Sequence, residues 1–148
     1  MLTGKEQMTK TQAQQLNPVV LAFVGDAVYS LYVRERLVRS RDGRAADFQR
    51  AASKIVSAQG QSLFLEKLLP LLNEEETEMF RRGKNAKKAT KSKSASSLEY
   101  NRSTGFEAVL GFLYLTGEEE RIAQLLSVLE DEAFQGIAAV TAFKPIRR

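Results

Sequence analysis

The fold of this chain is decided by two apolar runs, FVGDAVY at residues 23–29 and TGFEAVLG at residues 104–111, each carrying one carboxylate near its middle. On a helix from about Pro18 to Val38, residues three, four and seven apart share a face. The face of Asp26 then holds no cation, only the apolar side chains of Val19, Ala22, Tyr29 and Val33. Burying an unpaired charge is costly, so we expect a partner from elsewhere: a metal ion shared with Glu107, or a Lys or Arg.

Gly25 and Gly111 lie inside these helical runs, where each costs about 1 kcal/mol relative to alanine. Close packing of helix against helix is the simplest reason for Gly25 and Gly111, and such packing would bring Asp26 and Glu107 together. Small neighbours leave room around the Glu107 carboxylate for a ligand or metal: Ser103, Thr104 and Gly111. A structural interpretation stays open, in which Asp26 pairs with a core Arg and Glu107 is a cap or surface residue.

The composition of the chain narrows its chemistry. With 148 residues, it is long enough for one domain with a real core. It has no histidine and no cysteine, which excludes histidine bases, serine-type triads and disulfides and leaves carboxylates, lysines, hydroxyls or a hard cation such as Mg²⁺. No apolar run reaches the roughly 20 residues that span a bilayer, and the N-terminus lacks a signal-peptide core. We therefore expect a cytoplasmic protein without membrane contact.

The positive charge of the chain is concentrated in one segment. The net charge is +4, but residues 81–102 hold eight cations against one acid, Glu99, a local charge of +7. Such a segment is typical of polyanion binding, although charge runs are also common on ordinary solvated surface. Tyr100 is the one ring nearby, which favours a duplex held by its backbone over stacked single strands. The RNA-binding candidates are Arg81, Arg82, Lys84, Asn85, Lys87, Lys88, Lys91 and Lys93.

The apolar pattern predicts an all-α domain of about six or seven helices, with no alternating strand pattern. We expect a flexible N-terminal segment at 1–15, a helical domain at 16–142 and a basic tail at 143–148. Within the domain, Asn73 should cap a helix that ends before Gly83. A basic loop at 84–97 should then lead into the helix of Glu107, which should end at Gly117.

Four short motifs of this sequence resemble motifs of a known protein family. VGDAV at 24–28 resembles the signature helix of the ribonuclease III family, and TGFEAVLGFLYL at 104–115 resembles its second active-site helix. FRRGKNAK at 80–87 and IVSAQ at 55–59 are similar to motifs of one branch, Mini-ribonuclease III. The larger family has further acids at positions matching Val19, Ala22 and Thr104, so the matched carboxylates here are Asp26 and Glu107 alone, as in that branch.

The resemblance implies a Mg²⁺-dependent endonuclease that cleaves double-stranded RNA, and not DNA, with Asp26 and Glu107 as catalytic and metal-binding residues. In this branch the substrate is precursor 23S ribosomal RNA, and the family works as a homodimer whose signature helices meet across a two-fold axis. A second metal would need further ligands, for which Asp42 and Asp47 are candidates. Two other functions stay open: a non-catalytic double-stranded RNA-binding or ribosome-associated helical protein, and a helical protein-interaction module.

Overall fold

A computed structural model describes residues 6–87 and 97–128, and it confirms the all-α prediction over these ranges. It contains a short 3₁₀ helix at Leu69–Leu71 and seven α-helices: α1 Lys10–Gln14, α2 Pro18–Ser40, α3 Ala45–Val56, α4 Ala58–Leu68, α5 Glu74–Asn85, α6 Ser97–Leu115 and α7 Glu119–Leu126. None of these helices, within the described ranges, is long and apolar enough to span a bilayer.

Helix α2 begins where the sequence predicts. The Asn17 side chain accepts a hydrogen bond from the Val19 N–H at 2.8 Å, and Pro18 occupies the first helical position, where its missing N–H costs nothing. The helix then runs for 23 residues. Helix α6 also ends as predicted, since Gly117 has a φ of +80° that other residues rarely adopt.

Helices α2 and α6 cross with their backbones in contact. A Cβ atom at Gly25 would lie 1.7 Å from the Glu107 carbonyl oxygen, and one at Gly111 would lie 1.9 Å from the carbonyl oxygen of Leu21. Any side chain at either glycine would push the two helices apart. The interpretation of these glycines as packing residues is therefore confirmed, and the crossing fixes Asp26 of α2 beside Glu107 of α6.

An aromatic cluster locks the helices around this crossing. Tyr29 of α2, Phe64 of α4 and Phe106 of α6 are fully buried, with ring centroids 5.2–6.1 Å apart. The Tyr29 hydroxyl donates a hydrogen bond to the Ile55 carbonyl oxygen at 3.2 Å, which adds the end of α3. Each aromatic pair stabilises the fold by about 0.5–1.5 kcal/mol beyond its buried area. Helices α2, α3, α4 and α6 are thus held in a fixed relation next to Glu107.

The N-terminal segment differs from the prediction of a flexible stretch at 1–15. Thr9 and Gln12 form a reciprocal capping box that starts α1. The Arg82 guanidinium donates to the carbonyl oxygens of Gln14 at 2.8 Å and Leu16 at 3.2 Å. Residues 9–16 are therefore fastened to α5, so the ordered domain begins before residue 16. Residues 1–5 lie outside the described ranges.

The C-terminal end of α5 also differs from the prediction. Asn73 caps the helix as expected, accepting from the Glu76 N–H at 2.8 Å. The helix passes through Gly83 and continues to Asn85. A Cβ at Gly83 would lie only 2.9 Å from the Ala108 Cβ and from the Gly105 Cα. Gly83 therefore allows α5 to pack on α6 and does not end it. The predicted loop at 84–97 is helical at 84, 85 and 97, and residues 88–96 and 129–148 lie outside the described ranges.

Candidate active site

The crossing of α2 and α6 brings the two predicted carboxylates together. The Asp26 and Glu107 side chains lie within hydrogen-bond reach of each other. They line one cleft of about 210 Å³, whose other walls are formed by Val19, Ala22, Phe23, Tyr100, Ser103 and Thr104. The small residues expected to clear space around Glu107 do so at Ser103 and Thr104. The cleft is large enough for several water molecules or a phosphate group.

The burial predicted for Asp26 is wrong. Ala22, Tyr29 and Val33 on its helical face are buried, yet Asp26 itself is exposed, and it is Glu107 that is partly buried. Helical spacing predicts which side chains lie on the same face of a helix. It does not predict which of those side chains a neighbouring helix buries. Within the described part of the chain, the group that Asp26 contacts is the Glu107 carboxyl and not an Arg. The structural alternative of a core ion pair at Asp26 is therefore not what this arrangement shows.

The pKa of Glu107 is raised from 4.5 to about 9, and burial of the carboxyl is the largest cause. The Asp26 charge and the hydrogen bond between the two carboxyl groups contribute to this rise, while a hydrogen bond from Gln61 opposes it. Without a cation, the pair therefore keeps a proton at neutral pH. A divalent cation would favour the ionised form, because its positive charge replaces the proton between the two groups.

Gln61 is a residue of the site that the sequence analysis missed. It lies in α4 and is 1 % exposed, and its amide nitrogen donates to Glu107 Oε2 at 3.3 Å and to the Val56 carbonyl oxygen at 3.2 Å. A signal for it was present in the sequence. Gln61 is a polar residue on the apolar stripe of α4, which continues with Phe64, Leu65 and Leu68.

The two acids considered for a second metal have other places in the fold. Asp47 is buried at the start of α3, where it accepts from the Arg44 N–H at 3.1 Å and pairs with Arg50. Asp42 is exposed between α2 and α3. Among the described residues, no cluster of three or more acids is arranged to hold a metal ion. Asp26 and Glu107 are thus the carboxylates that the fold brings together.

The structure divides the predicted RNA-binding residues into three groups. Arg81, Lys84, Asn85 and Lys87 are exposed at the end of α5 or just after it, and Arg81 also bonds Glu78 at 2.5 Å and 2.9 Å. Arg82 is instead half-buried against the α1 segment, so its main role is structural. The remaining candidates lie outside the described ranges: Lys88, Lys91 and Lys93.

Comparison with known proteins places this site in a family. The profile of the Ribonuclease III domain matches residues 19–118, which include both carboxylates and most of the helices. A crystal structure of a Fusobacterium nucleatum protein is similar with a TM-score of 0.72 and 29 % identity, covering 80 % of this chain and 94 % of that one. Fold, site and profile together define an endoribonuclease of the ribonuclease III class.

Relatives in sequence narrow the class to one branch. The chain is 45 % identical to Mini-ribonuclease 3 of Symbiobacterium thermophilum, covering 78 % of this chain and 89 % of that protein. It is 43 % identical to Mini-ribonuclease 3 of Brevibacillus brevis and 38 % identical to that of Clostridium tetani, covering 82 % and 84 % of this chain and 90 % and 83 % of theirs. The chain therefore belongs to the ribonuclease III family, in its Mini-ribonuclease 3 branch.

Proposed function

We propose that this protein is a Mg²⁺-dependent endonuclease that hydrolyses phosphodiester bonds in double-stranded RNA. The observation that carries the proposal is the meeting of the Asp26 and Glu107 carboxyl groups in an open cleft at the α2–α6 crossing. Among residues 6–87 and 97–128, no Lys or Arg forms an ion pair with either acid. Two acids held close repel when ionised, and such an arrangement is typical of a site that binds a cation.

The donor atoms of the site suit Mg²⁺. Both acids supply hard carboxylate oxygens, and the chain has no histidine or cysteine to favour a softer metal. Mg²⁺ is commonly held by one or two carboxylates, with waters and substrate phosphate oxygens completing its coordination. When bound, it would supply activation of a water and stabilisation of charge on the scissile phosphate. The protein itself holds the two carboxylates next to each other, because Gly25 and Gly111 let α2 and α6 cross in close contact.

The exposed cations near the end of α5 support a duplex substrate. Arg81, Lys84 and Lys87 are exposed at the end of α5 or just after it. The same end of α5 packs on α6 beside Glu107, where Gly83 meets Ala108. Lys and Arg contacts to phosphates bind without reading sequence, and RNA duplexes are recognised mostly by shape and backbone. We propose that residues 81–93, without Arg82, grip the duplex backbone beside the cleavage site.

The biological substrate that we propose is precursor 23S ribosomal RNA, processed in the cytoplasm. This part of the proposal is supported by the Mini-ribonuclease 3 branch to which the chain belongs. The cleft and the basic segment are compatible with any RNA duplex. The choice among duplexes therefore depends on contacts beyond the cleft.

Cleavage of a long RNA duplex is the direct test of the proposed function. With Mg²⁺ we expect the duplex to be cut, and with EDTA we expect it to stay intact, while a DNA duplex of the same sequence should not be cut in either buffer. Electrophoresis of the products measures all three outcomes. A retarded but uncut RNA duplex in Mg²⁺ would instead support the non-catalytic RNA-binding function, and no interaction would favour the protein-interaction module.

An exposed apolar groove supports assembly as a homodimer. Phe23, on α2, is 80 % exposed and Leu31, two turns later, is 41 % exposed. They line a groove of about 380 Å³ together with Val24, Asp26, Ala27, Val28 and Tyr114. Asp26 thus lies on the wall between this groove and the catalytic cleft. We propose that a second copy of the chain covers the groove with the same face, as an isologous dimer requires.

A charge placed in this groove should separate the copies. Light scattering of the unmodified protein should give twice the chain mass of 16.5 kDa, and Phe23→Glu or Leu31→Glu should give a folded monomer, because both side chains are exposed in the single chain. Val28→Glu should unfold the chain instead, since Val28 is only 6 % exposed. Leu63→Glu is the matched control, because Leu63 is 51 % exposed on α4. A monomeric unmodified protein would contradict the dimer.

A further inference from the structure

Gln61 is a polar side chain in an apolar position. It is 1 % exposed, and the residues that share its face of α4 are apolar and equally buried: Phe64, Leu65 and Leu68. Its amide nitrogen faces two oxygens, Glu107 Oε2 at 3.3 Å and the Val56 carbonyl at 3.2 Å. Both are acceptors, so the nitrogen and not the oxygen of the amide must face them.

The other atom of the same amide is left without a partner. Gln61 Oε1 is buried and makes no hydrogen bond to any described residue. A buried acceptor without a donor destabilises a fold, and a methionine of similar length would fill this apolar position without one. The packing of α4 therefore gives no reason for a glutamine. Its N–H group serves the Val56 carbonyl at the end of α3 and the Glu107 carboxyl, and the second of these bonds reaches into the site.

We propose that Gln61 is a positioning residue, whose N–H group holds the Glu107 carboxylate in the orientation that lets it share one divalent cation with Asp26. This inference rests on the proposed function. Among the described residues, the Gln61 amide is the neutral N–H group that donates to the Glu107 carboxyl, at 3.3 Å. Groups that hydrogen-bond a metal-binding side chain typically change metal affinity 10–100-fold.

The test is a Mn²⁺ titration of the whole protein without RNA, with free Mn²⁺ followed by electron paramagnetic resonance. Mn²⁺ takes the same oxygen ligands as Mg²⁺. Gln61→Met should raise the Mn²⁺ Kd about tenfold or more and should raise the Mg²⁺ concentration for half-maximal cleavage by a similar factor. The cleavage rate at saturating Mg²⁺ should largely recover. Leu63→Met, at an exposed position of the same helix, is the matched control and should change neither value.

A double-mutant cycle separates positioning from a general structural effect. In a Glu107→Gln background, Gln61→Met should change the Mn²⁺ Kd less than twofold, because the group that Gln61 positions is already lost. A further tenfold loss there would overturn the inference. So would an unchanged Mn²⁺ Kd in folded Gln61→Met, or in Gln61→Leu if the methionine variant does not fold. An unmodified protein that binds no Mn²⁺ would reject the proposed function, and this inference with it.

Discussion

Asp26→Asn and Glu107→Gln are each expected to lower kcat/KM for duplex RNA by about 10³-fold or more, which corresponds to about 4 kcal/mol of transition-state stabilisation. Both substitutions keep the size of the side chain and remove one negative charge from the cleft at the α2–α6 crossing. Duplex binding should change little, because the exposed cations of α5 and the following segment are untouched. Single-turnover cleavage and a gel-shift titration measure the two quantities separately.

Stability distinguishes the proposed metal-binding role of Asp26 and Glu107 from a structural role of the same acids. If Asp26 were the partner of a buried cation, Asp26→Asn would cost about 3–5 kcal/mol. We expect the metal-free melting temperature to hold or rise, because the carboxyl that faces Asp26 is Glu107. Glu35→Gln is the control on the same helix: Glu35 forms an exposed ion pair with Arg39 at 3.0 Å, and its loss should leave cleavage unchanged. A folded Asp26→Asn protein that cuts at the normal rate would contradict the mechanism.

The central part of this fold could be predicted because its signals are local. Asn17 and Pro18 predict the start of α2, because helix capping and the missing N–H of proline depend on the local backbone and not on the rest of the chain. Gly25 and Gly111 inside apolar helical runs indicate a close approach, and their crossing partner follows from the second run. The meeting of Asp26 and Glu107 could therefore be expected from the sequence alone.

The features that escaped prediction depend on long-range contacts. Helix α1 is fastened by Arg82, about 70 residues later in the chain, and nothing in residues 9–16 points to that guanidinium. A glycine near the end of a helical pattern, such as Gly83, can either end the helix or allow a second helix to pack closely on it. The sequence does not distinguish these two roles, and the close approach of Ala108 shows that the second applies. The role of Gln61 likewise becomes visible only when Glu107 is placed next to it.

The pH dependence of metal-free stability gives the second large effect. The pKa of Glu107 is about 9 in the folded chain against an ordinary value of 4.5, so between these values the folded chain holds a proton that the unfolded chain has released. Stability therefore falls as pH rises from about 4.5 to about 9, by an amount on the order of several kcal/mol. Glu107→Gln cannot ionise, so its stability should be nearly constant over this range and should exceed that of the unmodified protein at pH 8.5.

Urea unfolding in EDTA at pH 6 and pH 8.5, at one fixed protein concentration, measures this effect. Glu76 does not interfere: burial opposes its ionisation, but bonds from Arg121 and Asn73 outweigh burial and lower its pKa, so it titrates below this window. Mg²⁺ should reverse the trend, because it binds the ionised pair and displaces the proton, so its stabilisation should grow with pH. Equal pH slopes for the unmodified protein and Glu107→Gln would show that the proton is not held at Glu107, and the carboxyl pair would then be ionised before any metal binds.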